Sequence, residues 1–222
     1  MITKFFSIVF LTCFFTNLNA QTPYPQGVYM SIEEIQNKTP SKEIELIVEK
    51  RSKSDIKMSG GNDYRLISED KSVSKKDIRK HILAYSNNDT LFINCTKYKL
   101  QNRYAPVRNN GRFLLFTAGI AQDTNTYNYQ IEETKTATFW SDFGAIGGGI
   151  QGIKLALLRF PYLLDTKNNT VTYLNTFALR KLLADHDLAL LQKYDEEKKS
   201  IADDEKEKAL LTIKYVQSLN DF

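Results

Sequence analysis

Nucleophilic or metal chemistry in this chain would have to use very few side chains, because cysteine and histidine are scarce. The sequence contains only Cys13, Cys95, His81 and His186. A cysteine nucleophile needs a neighbouring base such as histidine, and nothing in the spacing joins Cys95 to either histidine. We therefore predict that Cys95, which lies in a strand-like run, is a small buried hydrophobe.

Carboxylates are plentiful, but their sequence positions do not identify a catalytic pair. Such a pair is recognised by the separation of its two carboxyl groups in space. Glu33-Glu34 has a helix-capping explanation, Glu132-Glu133 lies in a polar stretch, and Asp203 to Glu207 belongs to a charged tail. We expect these acids to be solvated. The sequence therefore predicts no catalytic residue and no metal site, although an envelope hydrolase with carboxylates assembled from distant positions is an alternative.

A glycine cluster imitates a dinucleotide-binding motif. Residues Gly147 to Gly152 satisfy G-x-G-x-x-G, and Asp165 follows at the end of a predicted strand. The strand that would precede the motif, Thr136 to Trp140, holds threonine where a buried parallel strand needs Val or Ile, and no second βαβ half follows. We therefore reject a nicotinamide cofactor and predict no cofactor.

The same cluster has a better explanation in packing. Gly144, Gly148 and Gly152 recur every four residues and would lie on one side of a helix, where another backbone can approach closely. We expect a buried helix or a Gly-rich crossover packed on a sheet. The alternatives are a face for self-association or a membrane surface, and a ligand loop. Lys154 and Arg159 interrupt the apolar run before it reaches the ~18 residues that suggest a membrane span.

The first twenty residues are typical of a secretory signal peptide. Lys4 precedes the apolar run Phe5 to Phe15, and Asn19-Ala20 then precedes Gln21. We expect cleavage after Ala20 and export to the periplasm, the outer envelope or the extracellular space. Lipidation at Cys13 and an uncleaved anchor are the alternatives. Loss of the leader would leave Cys95 without a cysteine partner, so no intramolecular disulfide is expected.

The composition favours one folded domain and argues against nucleic-acid binding. The 222 residues are 42% hydrophobic and carry a net charge of +4, which suits one substantial core. A nucleic-acid protein would concentrate its cations on one face or tail. Lys75-Lys76 and Lys198-Lys199 instead lie beside acids, so we interpret both as solvated helix faces.

Local signals predict antiparallel hairpins between apolar runs. The turns are Asn87-Asn88-Asp89, Asn109-Asn110-Gly111 and Asp165 to Asn169. Leu91 to Ile93 and Phe113 to Phe116 are apolar on both sides of their strands, so the sheet should be covered on both faces. Strands are also expected at Ile44 to Val48 and Tyr64 to Ile67, and a polar loop from Gly119 to Gln130.

Capping residues predict where helices begin. Ser31 with Glu34 and Ser74 with Asp77 form capping boxes for two short helices. Asn175 and Asp185 are expected to cap amphipathic helices near the C-terminus, and Leu210, Ile213 and Val216 are expected to form the apolar face of the last helix.

Several stretches together form a whole-chain layout. They are Asn19-Ala20-Gln21, Gly27 to Ser31 with Pro40-Ser41, Ser86 to Asn94, Gly111-Arg112-Phe113, the cluster from Gly144 to Gly152, and Tyr162 to Asp165 leading to Leu182-Leu183. In this layout the chain resembles an uncharacterised family of small secreted proteins from Bacteroidota. The resemblance implies an envelope or extracellular location and no assigned activity.

The sequence thus predicts an exported α+β protein with an antiparallel β-sheet, a Gly-rich segment and C-terminal amphipathic helices. The expected parts are a signal peptide (1–20), an extended arm (21–26), one domain (27–199) and a charged helical tail (200–222). Within the domain we expect the sheet at 27–118, the Gly-rich segment at 136–159, a hairpin at 160–174 and helices at 176–199. The predicted function is that of a non-catalytic envelope or extracellular module.

Overall fold

The computed structural model describes residues 24–69, 71–136, 155–201 and 205–221. The predicted signal peptide at 1–20 and the glycine face of Gly144, Gly148 and Gly152 lie outside these described residues, so both stay predictions. Within the described ranges, no helix has the length and apolar character needed to cross a membrane.

The described strands form two antiparallel sheets. The strands are β1 (Gly27–Tyr29), β2 (Ile47–Lys50), β3 (Tyr64–Ile67), β4 (Ala84–Ser86), β5 (Leu91–Asn94), β6 (Tyr104–Pro106), β7 (Phe113–Ala118), β8 (Phe160–Asp165) and β9 (Thr170–Tyr173). A six-stranded sheet has the order β1-β4-β5-β6-β3-β2, and a three-stranded sheet has the order β7-β8-β9. The first and third predicted hairpins are confirmed, since Ser86 lies opposite Leu91 and Asp165 lies opposite Thr170.

Helices flank both sheets, so the predicted α+β class is confirmed. The helices are α1 (Ile32–Asn37), α2 (Lys53–Ser59), α3 (Lys75–Lys80), α4 (Thr124–Thr136), α5 (Thr176–His186), α6 (Leu188–Ser200) and α7 (Glu205–Asn220), with a 3-10 helix at Cys95–Tyr98. The caps at Ser31, Ser74 and Asn175 are confirmed. In each case the side-chain oxygen accepts a backbone N–H three residues later, which satisfies a donor that the helix leaves free.

The second predicted hairpin differs, because its two strands belong to different sheets. Val107 and Phe116 form an isolated bridge, but β7 pairs along its whole length with β8, where Leu114 lies opposite Leu164. The three-residue β6 cannot pair with all six residues of β7, whereas the six-residue β8 can. The sheet expected over residues 27–118 therefore ends at β6, and β7 begins the second sheet.

The two sheets face each other across a central core. Alternate residues of β5, β7 and β8 point into it, and they include Leu91, Ile93, Leu114, Phe116, Tyr162 and Leu164. The residues between them point outward and are also buried: Phe92 on the six-stranded sheet, and Phe113 and Leu115 on the three-stranded sheet. This confirms that both strand runs are covered on both faces. Each fully buried side chain of this size stabilises the fold by about 1.5–3 kcal/mol.

The polar loop expected from Gly119 to Gln130 is wrong, because α4 begins at Thr124. Asp123 accepts the backbone N–H of Thr126 at 2.8 Å and so caps the helix. The helix buries Gln130, whose Nε2 donates to the Tyr162 hydroxyl at 2.7 Å. An amide at the innermost position breaks the apolar pattern by which an amphipathic helix is recognised.

Smaller differences concern strand and helix ends. The cap of α6 is Asp187 rather than Asp185; its carboxylate accepts the Ala189 N–H at 2.8 Å. The strand expected from Ile44 begins at Ile47, and the sequence reasoning missed α2 altogether. On α7 Val216 is buried but Leu210 is exposed. The helix instead packs Leu211, Tyr215, Val216 and Leu219 against the three-stranded sheet.

Candidate functional site

An open groove of about 1030 Å³ lies on the outer face of the six-stranded sheet. Its lining comes from β3, the segment after β3, α3 and the turn before β6. Ligand sites commonly have volumes of about 300–1,000 Å³, so the groove has room for a small molecule or a short polymer segment. We refer to it below as the groove.

The floor of the groove is apolar. Leu66, Ile78 and Tyr104 line it and are buried in the core cluster on this side of the sheet. Ile67 and Val73 also line the groove and are only partly buried. The floor is therefore the incompletely covered edge of a hydrophobic cluster.

The walls of the groove are strongly cationic. The cationic lining residues are Arg65, Lys71, Lys75, Lys76, Arg79 and Arg103. Glu69 is the one carboxylate among the lining residues that the structure describes. Arg65 is held by Glu49 through two hydrogen bonds of 2.7 Å, and this contact raises the pKa of Arg65 above its usual range. Among the described lining residues, six cations therefore stand against one carboxylate, a balance that favours anionic ligands.

One wall, which we call the α3 wall, is fixed to the sheet by buried polar side chains. The Asn94 amide donates to the carbonyl of Arg79 at 3.1 Å and to that of Ile82 at 2.8 Å. The Tyr104 hydroxyl donates to the carbonyl of Ile78, and burial raises the pKa of this phenol. These contacts satisfy carbonyls in the last turn of α3 and, at Ile82, just beyond its end. They also determine where Lys75, Lys76 and Arg79 stand.

A second wall, at Asn102 and Arg103, is fixed by Asn62. The Asn62 amide donates to the carbonyls of Gln101 and Asn102, and its oxygen accepts the N–H of Gly119 at 2.6 Å. The carbonyl of Arg103 accepts the N–H of Cys95 at 3.0 Å. Gly61 permits this close approach: it has a φ of 88°, and a Cβ there would lie 2.1 Å from Asn102 Oδ1.

The structure does not bring the scarce cysteine and histidines into one site. Cys95 is fully buried in the central core, as predicted, and burial raises the pKa of its thiol. His81 ends α3, where its Nε2 lies 3.9 Å from Asp77 Oδ1. His186 lies on α5 with its ring edge-on to Phe113. In the part of the chain that the structure describes, no group of three or more His, Cys, Asp or Glu side chains could hold a metal ion.

The described carboxylates lie mostly at the surface. The buried polar and charged residues in the described ranges are Arg51, Asn62, Ser86, Asn94, Gln130 and Thr166, so none of them is an acid. Glu34 accepts the N–H of Met30 at 2.6 Å, one residue before the Ser31 cap whose N–H the capping box would use, and so is engaged at the start of α1. Glu133 accepts the hydroxyl of Tyr173.

Sequence reasoning missed the groove because its residues are far apart in the chain. The sequence predicts that Lys75-Lys76 is a solvated helix face; the structure shows both side chains exposed, but on one wall of the groove. Arg65 and Arg103 reach the groove from two other elements. The density of cations from Lys71 to Lys80 was the one local signal of it.

The chain belongs to DUF6563, a family of unknown function, which matches residues 27–222. This confirms the resemblance to an uncharacterised domain family. No curated protein and no solved structure matches the chain.

Proposed function

We propose that the protein is an exported, non-catalytic module that binds an anionic ligand in the groove. The observation that carries this proposal is the cationic lining around an apolar floor, with Glu69 as the one carboxylate among the described lining residues. Binding sites that converge on one charge sign attract ligands of the opposite sign and raise their association rates.

The magnitude of the electrostatic effect favours an anion over a neutral ligand. One pair of opposite charges about 4 Å apart contributes roughly 1 kcal/mol in bulk water and roughly 4 kcal/mol near a protein surface. An anion between Lys75, Lys76 and Arg79 would interact favourably with three cations at once, and it would reduce their mutual repulsion. A cationic ligand would be repelled by the same three side chains.

Binding rather than catalysis is supported by the acids and the thiol. Glu69 is exposed and is the one carboxylate among the described lining residues, whereas a hydrolase of the two-carboxylate kind needs a pair. The Cys95 thiol is buried with a raised pKa, the opposite of what a nucleophile requires. The part of the proposal that concerns export is supported by the signal-like sequence of residues 1–20.

Binding is tested by calorimetric titration with decanoate, polyglutamate and pyrophosphate as anionic probes. We expect at least one probe to bind, with an affinity that falls as salt concentration rises. The triple variant Lys75→Gln, Lys76→Gln, Arg79→Gln should lose at least tenfold in affinity. A matched control changes Lys53, Lys57 and Lys80 to Gln, three exposed lysines that do not line the groove. Equal losses in both variants, or no binding of any probe, would contradict the proposal.

Export is tested by mass spectrometry of the protein from its host. We expect a mature N-terminus at or near Gln21. A retained Met1, or a lipid-modified Cys13, would show that the leader is not removed in the expected way.

A further inference from the structure

We infer that the ligand of the groove is an anionic amphiphile: an acidic head group that contacts the α3 wall, joined to an apolar body that lies on the floor. This inference rests on the proposed function and adds a ligand class to it. It depends on the combination of charge and apolar surface in one groove.

The apolar half of the inference comes from the floor. Leu66, Ile78 and Tyr104 belong to a hydrophobic cluster that is closed on its inner side by the sheet and bordered on its outer side by the groove. Val73 packs against the same cluster and is only partly buried, and the partly buried Ile67 also lines the groove. A wholly hydrophilic anion would leave the floor in contact with water, whereas an apolar body would remove water from it.

The placement of the head group follows from the cations. Arg65 already donates from its Nε and its Nη2 to the Glu49 carboxylate, so its charge is partly compensated and it is less suited than the α3 cations to bind an added anion. Lys75, Lys76 and Arg79 stand together on α3, and Lys71 precedes them. Charge complementarity therefore places the acid at the α3 wall, and Arg103 adds a further cation to the lining of the groove.

The inference is tested with n-alkyl carboxylates of increasing length, titrated below their micelle concentrations. Each methylene that leaves water contributes roughly a fourfold gain in affinity. We therefore expect decanoate to bind on the order of 100-fold more tightly than hexanoate, and acetate to bind weakly. Decyltrimethylammonium, which has the same chain and the opposite charge, should bind at least tenfold more weakly than decanoate.

Substitutions in the floor test its contribution to affinity separately from that of the cations. Ile67→Thr with Val73→Thr keeps the β-branched shape and removes apolar surface, so it should flatten the dependence on chain length. Ile47→Thr, on the exposed edge strand β2 outside the groove, is the matched control and should leave the dependence unchanged. Thermal melts of all variants establish that they are folded.

The outcomes distinguish this inference from the proposed function. If hexanoate and decanoate bind with equal affinity and the triple variant Lys75→Gln, Lys76→Gln, Arg79→Gln abolishes binding of both, the groove binds anions. The inference of an amphiphilic ligand would then be wrong. If polyglutamate binds more tightly than decanoate at the same site, an acidic peptide replaces the amphiphile. If no anionic probe binds, both proposals fall.

Discussion

The outer faces of the two sheets are built from similar apolar strands but differ in how far they are covered. On the three-stranded sheet, Phe113, Leu115 and Leu163 are buried beneath the three helices α5, α6 and α7. On the six-stranded sheet, Phe92 and Leu66 are buried as well, but α3 lies over only part of that face. The first face is closed, and the second contains the groove.

The lengths of the covering helices account for part of the difference, since on the six-stranded sheet Leu46 and Ile82, which lie outside helices, join α3 in covering the face. The six residues of α3 span about 9 Å at about 1.5 Å per residue, whereas six strands about 4.8 Å apart spread over about 24 Å. Helices α5 to α7, of 11, 13 and 16 residues, span about 16–24 Å each over a sheet only about 10 Å wide. A closed face serves stability, while a face that its helix cannot cover is available to a ligand.

The largest expected effect is on the closed face. Phe113→Ala should lower the free energy of unfolding by about 3–5 kcal/mol, because it removes a buried ring beneath the helices and leaves a cavity. Val73→Ala, at the half-buried edge of the groove, should cost about 1 kcal/mol or less. Chemical denaturation of both variants measures the difference. Equal losses would show that the groove side is packed as tightly as the closed face.

A smaller loss of stability is expected at Asn94, which connects the six-stranded sheet to the α3 wall. Asn94→Ala removes the amide that holds the end of α3 and leaves buried carbonyls unsatisfied, at a cost of about 1–3 kcal/mol. Because Asn94 positions the α3 wall, decanoate affinity should fall as well. Denaturation and calorimetry on the same preparation measure both quantities. A stability loss with unchanged affinity would contradict the positioning role.

Local parts of the fold were predictable because their signals are local. Ser31 and Ser74 satisfy backbone donors within their own turn, so three or four residues suffice to predict a helix start. Two-sided burial of Leu114 and Leu115 follows from their own strand. The sheet that β7 joins depends instead on the length of β8, which lies beyond the Gly-rich segment.

The candidate site was less predictable than the fold. The burial of Cys95 was predicted because an isolated thiol in an apolar run has few other roles, although Cys95 begins the 3-10 helix after β5 instead of lying in the strand. The groove was not, since Arg65, Arg79 and Arg103 come together only when three separate elements meet. Sequence patterns report which face of one element is apolar; they do not report whether a short helix is long enough to cover the sheet beneath it.

One ion pair beside each sheet allows a second comparison of the two faces, with smaller expected effects on the free energy of unfolding. On the closed side, Arg112 holds the Asp165 carboxylate through two hydrogen bonds and lowers the pKa of Asp165. A lowered acid pKa stabilises the fold above the ordinary value near 4, and this contribution is lost as the pH falls through the folded-state value. Asp165→Asn should therefore cost about 1 kcal/mol at pH 7, and the difference from the wild type should narrow below about pH 4.

Glu49→Gln, which breaks the pair with Arg65 beside the groove, is the matched comparison. Its side chain is 36% exposed, against 15% for Asp165, so solvent screens the pair more strongly and the loss should be smaller. Denaturation curves between pH 2 and pH 8 measure both. A larger loss of stability for Glu49→Gln than for Asp165→Asn would contradict the expectation that the ion pair on the closed side contributes more.

The smallest expected effect on stability is at the cations of the α3 wall. Lys75 and Lys76 lie in the first turn of α3, where the helix dipole favours acids, and exposed like charges repel one another. The triple variant Lys75→Gln, Lys76→Gln, Arg79→Gln should therefore change the free energy of unfolding by no more than about 0.5 kcal/mol, because the gain from removing the two lysines is offset by the loss of Arg79, which lies in the last turn, where the dipole favours cations. On the closed face a substitution lowers stability, whereas here it should lower ligand affinity at constant stability. Denaturation at low and high salt measures the first quantity. A loss of stability above about 1 kcal/mol would mean that these cations hold the fold together. Lys75 and Lys76, which stand against the local preference of their helix, would then have a structural role instead of a binding one.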